Sequence, residues 1–387
     1  MIAGISNSSR PYAWGSTTAI ADLLGRHPSG EPEAELWLGT HPGSPALVAG
    51  GGALSELTTL PFLLKVLAAD SPLSLQAHPT LRQAAQGFER ENAAGIPIDA
   101  PHRNYKDYLH KPELIVAVSD TFDALCGFRP LEEAVSLIVA LRRHDGLVSP
   151  LDDLLAHMST IRSAFEWLIR GGAHVDSVVE RVAQLAALPL KPTNAAAAAA
   201  FRTVGILAKE YPGDPGIVIS LLLNMVTLNR GEALYLPAGN IHAYLRGLGI
   251  ELMAASDNVL RGGLTSKHVD VPELLTVLDF KPVTEPRLAQ EMIAEGVVKF
   301  DPGIPDFLLV HITRPTQFTL PGDAVLVVTS GLISVSGSQS EAVFGKGDAA
   351  YVSADEGVLS FTGEAELYLA TTRLSAPRAL SDTNPAG

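Results

Sequence analysis

The chain has 387 residues, 47% of them hydrophobic and 18% charged, enough for two or three domains and too apolar for intrinsic disorder. Its formal net charge of -14 argues against nonspecific binding to nucleic acid or to an anionic membrane surface, although a few local cations could still hold a small anion. A single cysteine, Cys126, excludes an intrachain disulfide. The N-terminus has no basic segment followed by an apolar run, and the longest apolar stretch, near 216–226, is too short to span a bilayer, so a soluble cytoplasmic protein is expected.

Over 1–128, strand-like pieces alternate with Gly and Pro turns: "AELWLGTHPGSPALV" (34–48) and "LPFLLKVLAADSPLSLQAHPT" (60–80) read as strands, and "TLRQAAQGFEREN" (80–92) as a short helix with Thr80 at its N-cap. From about Leu131 apolar residues recur at three-to-four spacing between Gly and Pro breaks, which predicts a helical block over 129–228; the alanine run at 195–200 is helix packing. Strands return after Asn229, and a final β region runs from about Val283 to Arg373 before a loose tail. "RGEALYLPAGNIHAYLRGLGIEL" (230–252) aligns without a gap on "KGDAAYVSADEGVLSFTGEAELY" (346–368), matching Gly231 with Gly347, Tyr235 with Tyr351 and Gly247 with Gly363. Two related β-barrels of jelly-roll type follow, with His242 facing Val358 in the alignment, so that the second barrel has no equivalent of that histidine.

Three segments carry candidate chemistry. In "SLQAHPT" (74–80), Gln76 and His78 would share one face of a strand. In "HKPELIVAV" (110–118), Lys111 and Glu113 flank Pro112 at the start of a strand, and "LPAGNIHAYL" brings His242 out of a turn into another. Each has a plainer meaning alone: a polar pair under a loop, an exposed ion pair, a core histidine. Together Gln76, His78, Glu113 and His242 are two imidazoles with two oxygen donors on three strands, a set that suits Zn2+, with Mn2+, Fe2+ or Co2+ open on chemistry alone. No cysteine joins, so a closed structural zinc site is not expected. In "SDNVLRGGLTSKHVDV" (256–271), Asn258, Arg261 and Thr265 sit in a Gly-rich run that favours a cation held for an anionic group.

On "YAWGS" (12–16), "AELWLGTHPGSP", "PFLLKVL", "LSLQAHP", "HKPEL", "LCGFRP" (125–130) and the long "PAGNIHAYLRGLGIELMAASDNVLRGGLTSKHVDV" (237–271), the chain resembles the type I phosphomannose isomerases, zinc enzymes of the cupin superfamily. The resemblance implies a mostly β fold with an α insertion: two cupin-type jelly-roll barrels plus an inserted helical domain. The expected division is 1–128 with 229–282 as a discontinuous catalytic barrel, 129–228 as the helical insertion, 283–375 as a second, metal-free barrel and 376–387 as a loose tail. It implies one Zn2+ per chain on Gln76, His78, Glu113 and His242, and reversible conversion of mannose 6-phosphate to fructose 6-phosphate through an enediol(ate). Arg261 would be the active-site arginine, and Lys65, Ser74, Lys111, Glu251 and Lys267 would line the pocket, with Lys267, Lys65 and Ser74 at the phosphate.

For the general base, Glu251, Lys111 with His110, and Asp257 compete; a carboxylate needs the smaller pKa shift, which favours Glu251. The partner expected is a small sugar phosphate, with no nucleic acid and no membrane; the oligomeric state is left open, a monomer being compatible with the sequence. Two rival readings stand beside this one. A non-catalytic sugar-phosphate sensor would lack the proton-transfer groups, and an Fe2+ cupin oxygenase would carry a close His-x-His motif where Gln-Ala-His stands.

Overall fold

The computed structural model describes residues 1–190, 192, 194–284 and 286–373; the tail expected at 376–387 and the last two residues of 283–375 lie outside the described residues. Among the described residues the protein is mostly β, and every pairing between its strands is antiparallel, in two ten-stranded sheets. The hub of one sheet is His242–Ala254. Its first half pairs with Leu75–Ala77 and Thr121–Phe128, its second half with Phe62–Ala69 and Glu113–Ala117. Leu260–Gly263 extends this sheet beyond Leu75–Ala77.

One strand can serve two sets of partners because it bends. Gly247 has φ +130°, next to a register shift between Tyr244 and Arg246. The aligned Gly363 also has φ +130°, in Val358–Thr371 of the second sheet, and the turn glycines Gly231 and Gly347 match at +84° and +90°. The internal similarity is therefore a similarity of backbone. A Cβ on Gly363 would lie 2.5 Å from the Leu332 carbonyl oxygen. Gly363→Ala is expected to lower stability by about 1–3 kcal/mol in urea unfolding, from this crowding and the left-handed backbone together.

Alternation along the strands sorts side chains into three layers. Leu64, Val66, Leu114, Val116, Ile250 and Leu252 pack against Val325, Val327, Tyr351 and Tyr368 of the second sheet. Leu75, Ala77, Leu125 and Ala243 pack against Ile138, Phe165 and Val204 of the helices. Leu67, Ile115, Leu234, Leu236, Phe122, Cys126 and Tyr244 fill the space between. With both faces buried, "FLLKVLAA" and "ELIVA" read as continuous apolar runs. Lys65, Gln76, Glu113, His242, Glu251 and Arg261 all fall on the inner parity of their strands.

Two expectations needed correction. The helical block stops at Leu222, and Leu223–Asn229 is a strand paired with Thr121–Phe128; an apolar run such as "GIVISLLLNMV" does not reveal by periodicity where helix gives way to strand. The N-terminal strand Ile2–Ser6, counted with 1–128, pairs instead with Ala349–Val352 and covers an edge of the second sheet. The helix Leu81–Ala93 is as expected: Thr80 accepts from the Gln83 amide, and the Gln83 side chain accepts from the Thr80 amide.

Candidate metal centre

Register assembles the site. Gln76 lies opposite His242 on one side and Arg261 on the other, so three side chains from neighbouring strands stand abreast on the inner face. Glu113 opens its own strand opposite Met253 and Leu236. His78 follows one residue beyond Leu75–Ala77 and is turned inward by its Nδ1, which donates to the Asn258 carbonyl at 2.7 Å.

His78 Nε2 lies 3.2 Å from Glu113 Oε1, and His242 Nε2 lies 3.2 Å from Glu113 Oε2. His242 Nδ1 contacts the Asn240 carbonyl at 3.2 Å. A proton on Nδ1 of each ring leaves its Nε2 as a bare lone pair aimed at carboxylate oxygens. Accordingly His78 Nε2, His242 Nε2 and Glu113 Oε2 are buried polar atoms with no hydrogen-bond partner, and the donor atoms of the three residues lie within 4.8 Å of one another. Such a convergence is costly unless a cation joins the donors, and imidazoles fixed by backbone carbonyls are typical metal ligands. The residues fit a metal ion.

Electrostatics around the cluster point the same way. Burial pushes His78 down to about 4, keeping its imidazole neutral as a ligand must be. Burial alone would raise the Glu113 carboxyl, but the charge of Lys111 beside it holds it well below the usual range. Lys111 Nζ is 3.0 Å from Glu113 Oε1 and almost fully buried.

One pair deeper, Glu251 lies opposite Lys65 and Ile115. Lys65 Nζ is 3.1 Å from Glu251 Oε2 and 3.5 Å from Glu35 Oε1, and it stands over the Trp37 ring, whose Nε1 donates to Glu35. Burial opposes the charge on Lys65, but Glu251 and Glu35 outweigh it and raise its pKa; burial raises that of Glu251. Lys65, expected at the phosphate with Ser74, thus has its ammonium between two carboxylates.

Arg261 is half-buried beside Gln76, while Ser74 is half-buried ahead of that strand and Lys267 is exposed in the loop after Arg261. Burial, then the charges of Arg261 and Lys106, lower the pKa of Lys267, so a cationic rim borders the donors. His110 turns away to Asp306, 3.0 Å distant. Asp257 is exposed at the rim, 3.4 Å from His41 Nε2.

Asn258, grouped in the sequence with the anion-holding run, is fully buried and has another task. It accepts from the amides of Lys106 and Asp107 and donates to the carbonyls of Asp107 and Leu109, tying that loop to the carbonyl that orients His78. No spacing in the sequence signals this clamp, because its partners lie about 150 residues away.

Two histidines and a carboxylate buried inside a β structure define the class, a protein with a preformed mononuclear metal pocket. Comparison with known proteins narrows it. A family model described as phosphomannose isomerase type I, catalytic domain, matches residues 2–58 and 51–131. Mannose-6-phosphate isomerase of Salmonella typhimurium is 34% identical over 93% of this chain and 97% of its own, and that of Homo sapiens 31% identical over 92% and 94%. A crystal structure of the Salmonella typhimurium enzyme bound to its substrate and a zinc atom superposes with a TM-score of 0.86 at 33% identity, covering 96% of this chain and all of that one. The chain belongs to the type I phosphomannose isomerase family and is an enzyme of it. Among the described residues, no helix is long and apolar enough to cross a membrane.

Proposed function

We propose that this chain interconverts mannose 6-phosphate and fructose 6-phosphate through an enediolate, with one Zn2+ held by Gln76, His78, Glu113 and His242. The observation that carries the reading is the three buried, unpartnered donor atoms aimed at one point. The two sheets with the helices of 131–219 support two cupin-type jelly-roll barrels and a helical insertion, divided as the sequence suggests except that Leu223–Asn229 and Arg287–Leu288 join the first sheet and Ile2–Ser6 and Leu47–Val48 the second. The partner is a small sugar phosphate and the compartment the cytoplasm.

Bound Zn2+ would supply Lewis-acid polarisation of the sugar's oxygens. The chain does the rest. Lys111, held by Glu113, donates to the oxygen that gains charge as the C2 proton leaves, and Arg261 stabilises the same developing charge. The carbon acid needs a carboxylate. We assign it to Asp257, exposed beside the buried donors, because the Glu251 carboxylate is buried and occupied by Lys65 a full pair below Glu113. Glu251 is then the counter-charge that keeps Lys65 and the cluster above it in position. Lys267 and Ser74 hold the phosphate.

A coupled assay on mannose 6-phosphate, with metal-stripped protein before and after Zn2+, tests the reaction. Turnover restored by zinc is expected; folded, zinc-loaded protein without turnover would sink the proposal and leave the sensor reading ahead. Arg261→Ala is expected to lower kcat by roughly 10²–10³ with zinc still bound.

A further inference from the structure

The loop after Arg261 contains Leu264, the only non-glycine residue with a left-handed backbone among those described, at φ +54°. Leucine takes that conformation only where its surroundings impose it. Two things impose it here. Its side chain is buried in the core shared with the helices. And Asp214, in the turn between the helices Ala195–Glu210 and Gly216–Ile219, binds its backbone: Oδ1 accepts from the amides of Gly216 at 2.7 Å and Leu264 at 2.8 Å, and Oδ2 accepts from the Thr265 amide at 3.2 Å. The fit is tight, since a Cβ on Gly216 would lie 2.8 Å from both Asp214 Oδ1 and Leu264 Cγ. Thr265 passes the constraint on, its Oγ1 accepting from the Lys267 amide at 3.1 Å. One carboxylate of the helical insertion therefore fixes the backbone between the two cations of the rim, Arg261 and Lys267.

We propose that Asp214 is a positioning residue for substrate binding: by holding Leu264 and Thr265 it sets where Lys267 meets the phosphate of the substrate relative to Arg261 at the reacting oxygens. The inference rests on the reading that Lys267 holds the phosphate and Arg261 the developing charge of the same sugar phosphate. It gives the helical insertion a part in recognition, since Asp214 reaches neither the metal donors nor the groups assigned to proton transfer.

The test compares Asp214→Ala, Asp214→Asn and Lys267→Ala for KM and kcat on mannose 6-phosphate, competitive inhibition by inorganic phosphate, bound zinc and Tm. Asp214→Ala is expected to raise KM and the phosphate inhibition constant by roughly tenfold, because a misplaced cation no longer makes its charge-assisted hydrogen bond to the anion, with kcat within about threefold and zinc content unchanged. Asp214→Asn should fall between, because its oxygen still accepts from Gly216 and Leu264 while its amide faces the Thr265 N–H; it also carries the test if the alanine variant does not fold. A lower Tm with KM and phosphate inhibition within about twofold of wild type would overturn the proposal and leave Asp214 a support of the fold. If Lys267→Ala also leaves both unchanged, the phosphate reading beneath it fails first.

Discussion

His242→Ala is expected to give a folded protein that retains less than one Zn2+ per chain after dialysis and loses on the order of a thousandfold or more in kcat/KM, the several kcal/mol that a metal contributes to stabilising developing charge. The fold should tolerate the change, because it removes one of two bare imidazole nitrogens that face the Glu113 carboxylate at 3.2 Å. Metal-stripped His242→Ala should accordingly melt no lower than the metal-stripped parent. Glu113→Ala should behave differently: the metal is lost, and the nearly buried ammonium of Lys111 loses its partner 3.0 Å away. Stranding a buried charge in this way costs about 3–5 kcal/mol. Metal analysis and thermal unfolding of the two variants separate donors that only bind from a donor that also neutralises. Full zinc content and activity in His242→Ala would refute the ligand set.

The second large effect lies beneath the metal centre. Lys65, Glu251 and Glu35 form an ion cluster inside the β structure, with the Lys65 ammonium 3.1 Å from Glu251 Oε2. Glu251→Ala is expected to destabilise the protein by about 3–5 kcal/mol, by removing a counter-charge from a lysine that cannot reach water. Lys65→Met alone should do comparable damage, since it leaves Glu251 and Glu35 with like charges in the same interior. The pair Lys65→Met with Glu251→Leu should recover much of the loss, so that the double-mutant cycle in urea returns a coupling larger than either single effect, above about 3–5 kcal/mol. Additive single effects would mean that the two charges do not depend on each other. Glu251→Gln separates stability from catalysis. A carboxylate acting as base would lose most of kcat, whereas a counter-charge would mainly lose stability.

Much of the site was legible because strand periodicity is simple. Gln76 and His242 alternate with apolar neighbours, and parity alone carries both to the inner face with Glu113 and Arg261. The donor types then name the chemistry, two imidazoles with a carboxylate, and Lys111 two residues before Glu113 falls against it. The internal similarity was equally readable, since Gly247 and Gly363 share a backbone angle that only glycine takes without strain.

What the sequence alone determined is the list of inward-facing residues and the metal they suit, because alternation and donor chemistry are local properties. Contacts between residues far apart in the chain decided the rest. The family resemblance sets Lys65 at the phosphate, but pairing with His242–Ala254 puts Glu251 opposite and Glu35 beside it. Asn258 reads as part of an anion loop, but it is spent on the loop that leads to Lys111. Asp214 carries no motif, yet it governs the backbone after Arg261. A charged or amide side chain acquires its role from the partner that the fold brings within hydrogen-bond reach, and no pattern along the chain encodes that partner.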